Sequence, residues 1–362
     1  MKINGNLSRL QLGARLVVNS ASIVSVVFLG VIVANLSKQR ASVLPIHLSL
    51  PGAGQALSVT VQEGPVMPLG RGSHAGGMVD GQLVIATGTS WNAERTKKSF
   101  LSDTLSLKGT QWTPGPALPS ALAEGAYASD GESLYLAGGL KSPTAPSDAV
   151  YRMSKVGGTL TVQKLTALPT PITASAGAIA RGRLFVACGV VAGKASKQLL
   201  SLDLEHPNST WTENAALPGP ARAYAGLVAV GDDLYLLGGL ADGNGSVHAR
   251  TLGDCYRYDS ATDQWSSVGN LPVPGYCWSA APVGKDQLLL TGRADGVIHD
   301  EVWLLDLKTL TGHIAGRTVV HATCAPLVEV SPGTFWLIGG EPDSNKNRTN
   351  RISEISVRST VQ

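Results

Sequence analysis

Residues Leu234–Gly239 read LYLLGG, four apolar residues closed by two glycines. The phrase returns five times, as LVIATG (Leu83–Gly88), LYLAGG (Leu134–Gly139), LFVACG (Leu184–Gly189), LLLTG (Leu288–Gly292) and FWLIGG (Phe335–Gly340). The closing glycines Gly88, Gly139, Gly189, Gly239, Gly292 and Gly340 are separated by 51, 50, 50, 53 and 48 residues. A short run that is apolar at every position reads as a strand packed on both faces. Glycine at its end lets the chain turn sharply at positive φ. A unit of this size cannot bury its apolar faces alone, so it must stack on its neighbours. Six such units predict an all-β chain, a six-bladed β-propeller.

Other positions keep the same beat. Pro68, Pro119, Pro169, Pro218 and Pro272 close successive units, four of them within an LP pair. Trp112, Trp211 and Trp265 open the stretches QWTPGPALP, TWTENAALP and QWSSVGNLP, where an aromatic caps one blade against the next. With the Tyr and Asp of DCYRYD (Asp254–Asp259), these read as structural residues. The last unit has FWLIGG and RISEISVRS but no following Trp strand; LSVTVQEGPVMP (Leu57–Pro68) supplies the missing piece. The N-terminal strand is therefore expected to pair with the C-terminal one and close the ring, which removes exposed sheet edges.

The composition agrees. With 42 Gly, 20 Pro and only 15% charged residues, the 362-residue chain suits short strands and tight turns. A formal charge of +3 is too small to indicate nucleic acid, and leaves room for a small anionic ligand. Lys2, Arg9 and Arg15 precede the apolar run Leu16–Leu36. That order reads as a signal peptide or a membrane anchor over residues 1–36, followed by a linker over 37–56 and the propeller over 57–362. Either reading places the ring in the periplasm or outside the cell, or tethers it to the membrane; the oligomeric state is open. The four cysteines, Cys188, Cys255, Cys277 and Cys324, have no zinc spacing. Cys188 lies in an apolar strand and reads as a buried thiol. Cys277 and Cys324 precede the inner strands of neighbouring units, which leaves a disulfide between them open.

Strands ending in GG and followed roughly 20 residues later by a Trp strand resemble kelch repeats, a likeness specific for fold and nearly silent on function. Four stretches narrow it: GTSWNAERTKKSFLSDTLSL (Gly88–Leu107), LPGPARAYAGLVAVGDDLYLLGGL (Leu217–Leu240), VHARTLGDCYRYD (Val247–Asp259) and WLIGGEPDSNKNRT (Trp336–Thr349). They resemble the N-acetylneuraminate epimerase (sialic acid mutarotase) family, particularly its cyclically permuted branch, because the Gly-Glu motif falls in the last unit rather than mid-chain. The resemblance implies an isomerase that interconverts sugar anomers, with Glu341 as proton acceptor and Arg348 beside it. It implies no metal or redox cofactor.

The repeat itself gives a second argument for Glu341. Its equivalents after the other five phrases are Thr89, Leu140, Val190, Leu240 and Arg293, so the fold does not require a carboxylate there. The loops leading into the inner strands open on the same mouth and carry Arg71, His74, Glu124, Ser175, Arg222, Tyr224 and Trp278. Arg222, Arg293, His74 and Glu124 are the candidate substrate-binding groups, polar residues placed to converge on a ligand. An arginine suits a sugar carboxylate through paired hydrogen bonds. Asp-box turns of the sialidase type are missing, and the seven histidines have no copper or zinc spacing. The competing reading is a noncatalytic propeller that holds a glycan or a protein at the same mouth; a third is an isomerase acting on another sugar.

Overall fold

The computed structural model describes residues 57–206, 208–241 and 249–360. The predicted signal, anchor and linker segments lie outside the described residues. Among the described residues the chain is all-β, with no helix long and apolar enough to cross a membrane. Six antiparallel four-stranded units form the blades, with inner strands Ala75–Val79, Ala126–Ser129, Ala176–Ala180, Gly226–Val230, Ser279–Val283 and Leu327–Ser331. Numbered in that order, blades 1 to 5 run inner to outer along the chain. Blade 6 instead ends on strand Leu57–Glu63, which pairs with Ile352–Ser359 from Leu57 opposite Ser359 to Glu63 opposite Ser353. The ring closes as the terminal stretches predict.

The core lies between blades and follows from the two-residue period of a strand. In the second strand of blade 2, Leu134 and Leu136 pack toward blade 1 with Val84 and Ala86. Tyr135 and Ala137, the alternate residues, face blade 3 with Leu184 and Val186. The same arrangement repeats around the ring, ending where Leu83 and Ile85 of blade 1 meet Val328 and Ile352 of blade 6. This two-sided burial explains why the LYLLGG phrases are apolar throughout. Two of the three tryptophans cap through a hydrogen bond: Trp211 donates Nε1–H to the Thr166 carbonyl (3.0 Å) and Trp265 to that of Ala215 (2.8 Å), each reaching the end of the preceding blade, while Trp112 only packs against the core between blades 6 and 1. Inner strands such as AGGMV and AGAIA are small-residue rich, which leaves an axial channel of about 490 Å³.

Truncation tests the closure. Removing residues 351–362 strips blade 6 of its third strand and leaves Leu57–Glu63 without a partner. The expected product is insoluble, whereas a soluble truncation that melts cooperatively would refute ring closure as the source of stability.

Candidate functional site

Each inner strand is entered through one residue in the left-handed region: Ser73 (φ 55), Glu124 (φ 58), Ala174 (φ 50), Tyr224 (φ 54), Cys277 (φ 56) and Cys324 (φ 51). None is glycine, so each is a sterically costly conformation that its surroundings must impose. The imposing force is visible. Ser73 N–H donates to the Cys324 carbonyl (2.8 Å), Glu124 to Ser73 (3.1 Å), Ala174 to Glu124 (2.8 Å), Tyr224 to Ala174 (2.9 Å) and Cys277 to Tyr224 (2.7 Å). A collar of backbone hydrogen bonds thus links blade to blade at one mouth of the channel. All six residues line the channel.

The loop after each GG strand bridges back to the residue just before the collar. Thr89 pairs with Gly72, Leu140 with Ala123, and Glu341 with Thr323. Glu341 N–H donates to the Thr323 carbonyl (2.8 Å), and Thr323 N–H to that of Glu341 (3.0 Å). This brings Glu341 beside the collar position of Cys324. The two loop sets do share one mouth, as the repeat predicts.

Glu341 and Arg348 come together. Arg348 Nη2 lies 3.0 Å from Glu341 Oε1, both side chains nearly buried. Gly72 allows it: a Cβ there would sit 2.9 Å from Arg348 Cδ and 3.1 Å from Glu341 Cγ. Burial raises the Glu341 pKa above its ordinary value and outweighs the lowering by Arg348; Glu124 adds to the rise. The remaining Arg348 donors are engaged: Nε and Nη2 reach Thr89 Oγ1 (3.0 and 2.9 Å), and Nη1 the carbonyls of Lys346 and Asn347. Arg348 therefore holds Glu341 and its own loop, with little left for a ligand.

His74 and Glu124 line the channel. Glu124 Oε2 accepts a hydrogen bond from the Tyr224 hydroxyl (2.9 Å). Burial and this carboxylate keep Tyr224 protonated, far above the usual phenol range. His74 is buried, neither ring nitrogen has a protein partner, and desolvation with Arg71 and Arg348 nearby holds it neutral.

Arg222 and Arg293 are turned away from the channel. Arg222 is fully buried in blade 4, held by Asp254 through Nη1–Oδ1 (2.5 Å) and Nη2–Oδ2 (2.8 Å), and by the carbonyls of Gly238 (2.9 Å) and Pro220 (3.1 Å). Arg71 repeats the device in blade 1, gripping Asp103 (2.8 Å) and the Thr87 carbonyl (3.1 Å). Arg293 sits within Asp295 (2.6 Å), Glu301 (3.0 Å) and His299 (3.2 Å). These arginines are internal braces. Of the trio Glu341, Arg348 and Arg222, the structure assembles only the first two.

Lys98, which no motif or repeat position singled out, joins the site through its electrostatic reach to Glu341 and Glu124. It lies on the ribbon Thr89–Trp91 with Lys98–Phe100, which leaves blade 1 between its second and third strands. Its pKa is lowered, first by burial and then by Arg348, against the opposing pull of Glu124 and Glu341. Its ammonium rests on the Phe100 ring (5.4 Å) and has no ion pair among the described residues. The mouth thus gathers a buried carboxylate of raised pKa, a hydrogen-bonded Tyr–Glu pair, a neutral imidazole and an unpaired ammonium.

Residues 165–321 match the family model described as N-acetylneuraminate epimerase, a span that holds blades 3 to 5. The N-acetylneuraminate epimerase of Yersinia enterocolitica is 31% identical over 130 residues, 35% of this chain and 33% of that protein. The Salmonella enteritidis protein of that name is 25% identical over 139 residues, 38% and 35% of the two chains. That of Yersinia pestis is 27% identical over 135 residues, 37% and 33%. The chain spans about a third of the length of the curated relatives it matches. It resembles this family as the sequence motifs indicate, although Glu341 and Arg348 lie beyond the matched span.

Stability measurements distinguish a brace from a ligand-binding arginine. Asp254→Ala leaves a buried guanidinium without its counter-charge and should lower unfolding free energy by about 3–5 kcal/mol in urea. The double variant Arg222→Met/Asp254→Leu should recover most of that loss. A near-neutral Asp254→Ala would release Arg222 for binding.

Proposed function

We propose that this propeller is an isomerase that interconverts the anomers of a sialic acid or a related acidic sugar at the collar mouth. The carrying observation is Glu341, a buried carboxylate held beside the collar mouth, whose pKa burial raises, the direction that makes a carboxylate a stronger base. The family likeness of blades 3 to 5 supports the same class. Mutarotation asks for little: one group removes the anomeric hydroxyl proton while another protonates the ring oxygen, the ring C–O bond breaks, and reclosure on the other face gives the second anomer. Glu341 takes the proton. Tyr224, protonated and hydrogen-bonded to Glu124, is the best-placed donor.

Arg348 acts as a positioning residue, holding Glu341 by their 3.0 Å contact. The substrate carboxylate falls to Lys98, a cation near both Glu341 and Glu124 that lacks an ion pair among the described residues. The basic-then-apolar run through Leu36 supports an exported or membrane-tethered site.

Proton NMR of N-acetylneuraminate anomers tests this directly. The full chain should speed their equilibration, and Glu341→Gln should lower the rate about 10²–10⁴-fold. A carboxylate works as a base only when ionised. The rate should therefore fall as pH drops through the raised Glu341 pKa, at a higher pH than the ordinary Glu value of about 4.3. Folded protein that leaves equilibration unchanged would defeat the reading and favour glycan binding without turnover.

A further inference from the structure

The collar has five hydrogen-bonded steps and one step of a different kind. Between Cys277 and Cys324, which belong to blades 5 and 6, the side chains meet instead, Sγ to Sγ at 3.2 Å. Their neighbours on the collar are joined through backbone; these two are joined through sulfur. We propose that Cys277 and Cys324 are a redox-active pair whose disulfide staples blade 5 to the closing blade at the channel mouth.

Three observations carry this. First, the geometry is nearly complete: converging sulfurs at 3.2 Å are about 1 Å from bonding distance. The two residues share one backbone conformation, φ 56 and φ 51, at equivalent positions of adjacent blades. Second, the pair is reachable. Both cysteines line the channel and are only partly buried, whereas Cys188 and Cys255 are sealed inside the blade interfaces at 1% and 0% exposure. Third, the location has a purpose. Blade 6 is made from both ends of the described chain, so it is the blade that must be held for the ring to stay shut.

The chemistry balances as thiol–disulfide exchange with a low-molecular-weight disulfide such as oxidised glutathione. One cysteine of the pair, as thiolate, attacks one sulfur of the oxidant and expels a thiolate. The other then gives up its proton and attacks the mixed disulfide, which forms the protein S–S bond and expels the second thiolate. Two protein S–H bonds become one S–S bond, and the small disulfide is reduced to two thiols. Contact with Cys277 and burial push the Cys324 thiol well up, so the exchange should quicken as pH rises. The staple does not depend on what the mouth binds.

The test uses the full chain, incubated with glutathione disulfide or dithiothreitol, denatured, alkylated and digested. Reduced protein should show all four cysteines alkylated. Oxidised protein should show two protected, in one cross-linked peptide pair containing Cys277 and Cys324. Its melting temperature should be higher by about 5 °C or more, and dithiothreitol should reverse the rise. Cys277→Ser and Cys324→Ser should each abolish both the link and the thermal shift. Four free thiols after oxidation would overturn the proposal, as would a link involving Cys188 or Cys255, or glutathione on both residues without a cross-link.

Discussion

Everything at the mouth depends on ring closure through a shared blade. A stack of sheets that each need neighbours on both faces has no stable end unless the last contacts the first. Pairing Leu57–Glu63 with Ile352–Ser359 supplies that contact, and packing of Ile85 against Ile352 is its apolar counterpart. Only in a closed ring can the collar take the step from Ser73 of blade 1 to Cys324 of blade 6. The collar in turn imposes the left-handed conformation that brings Glu124 and Tyr224 into contact from blades that are not adjacent. Site and closure are one mechanical system.

Much of this was legible in the sequence, because the repeat is written in residues whose role is steric. Terminal glycines at a fixed interval, LP marks and apolar runs gave blade number, blade order and even the interlocked ends. The common mouth for both loop sets also followed, and with it the neighbourhood of Glu341. What periodicity does not encode is the direction of a long side chain. Arg222 and Arg293 occupy loop positions beside the mouth yet fold back into their own blades, where half-buried carboxylates and backbone carbonyls hold them. A signal was present: Arg71 and Arg222 each meet an aspartate 32 residues later, Asp103 and Asp254, the same offset in two blades. A repeated spacing between opposite charges marks a structural pair.

The collar and Lys98 were hidden for other reasons. The six collar residues, Ser, Glu, Ala, Tyr and two Cys, share a backbone angle rather than a chemistry, and no composition rule finds them. Lys98 lies on a ribbon inserted between two strands of blade 1, outside the beat that made everything else readable. The departures TG and CG from the GG phrase have the same origin. Thr87 and Cys188 take the left-handed angles (φ 65 and φ 59) that Gly138, Gly238 and Gly339 supply in three other units.

The collar also bears on how such a ring changes over evolutionary time. At five of its six steps the geometry is held by main-chain hydrogen bonds, so away from the cysteine pair the identity of each side chain is nearly free, and the present occupants range from alanine to tyrosine. The mouth works like a pegboard with six sockets at set heights and angles. Exchanging a peg alters what the channel recognises without disturbing the board. A single scaffold of this design can therefore drift between ligands, or between catalysis and simple capture, through a few substitutions at positions 73, 124, 174 and 224, whereas 277 and 324 are tied to each other.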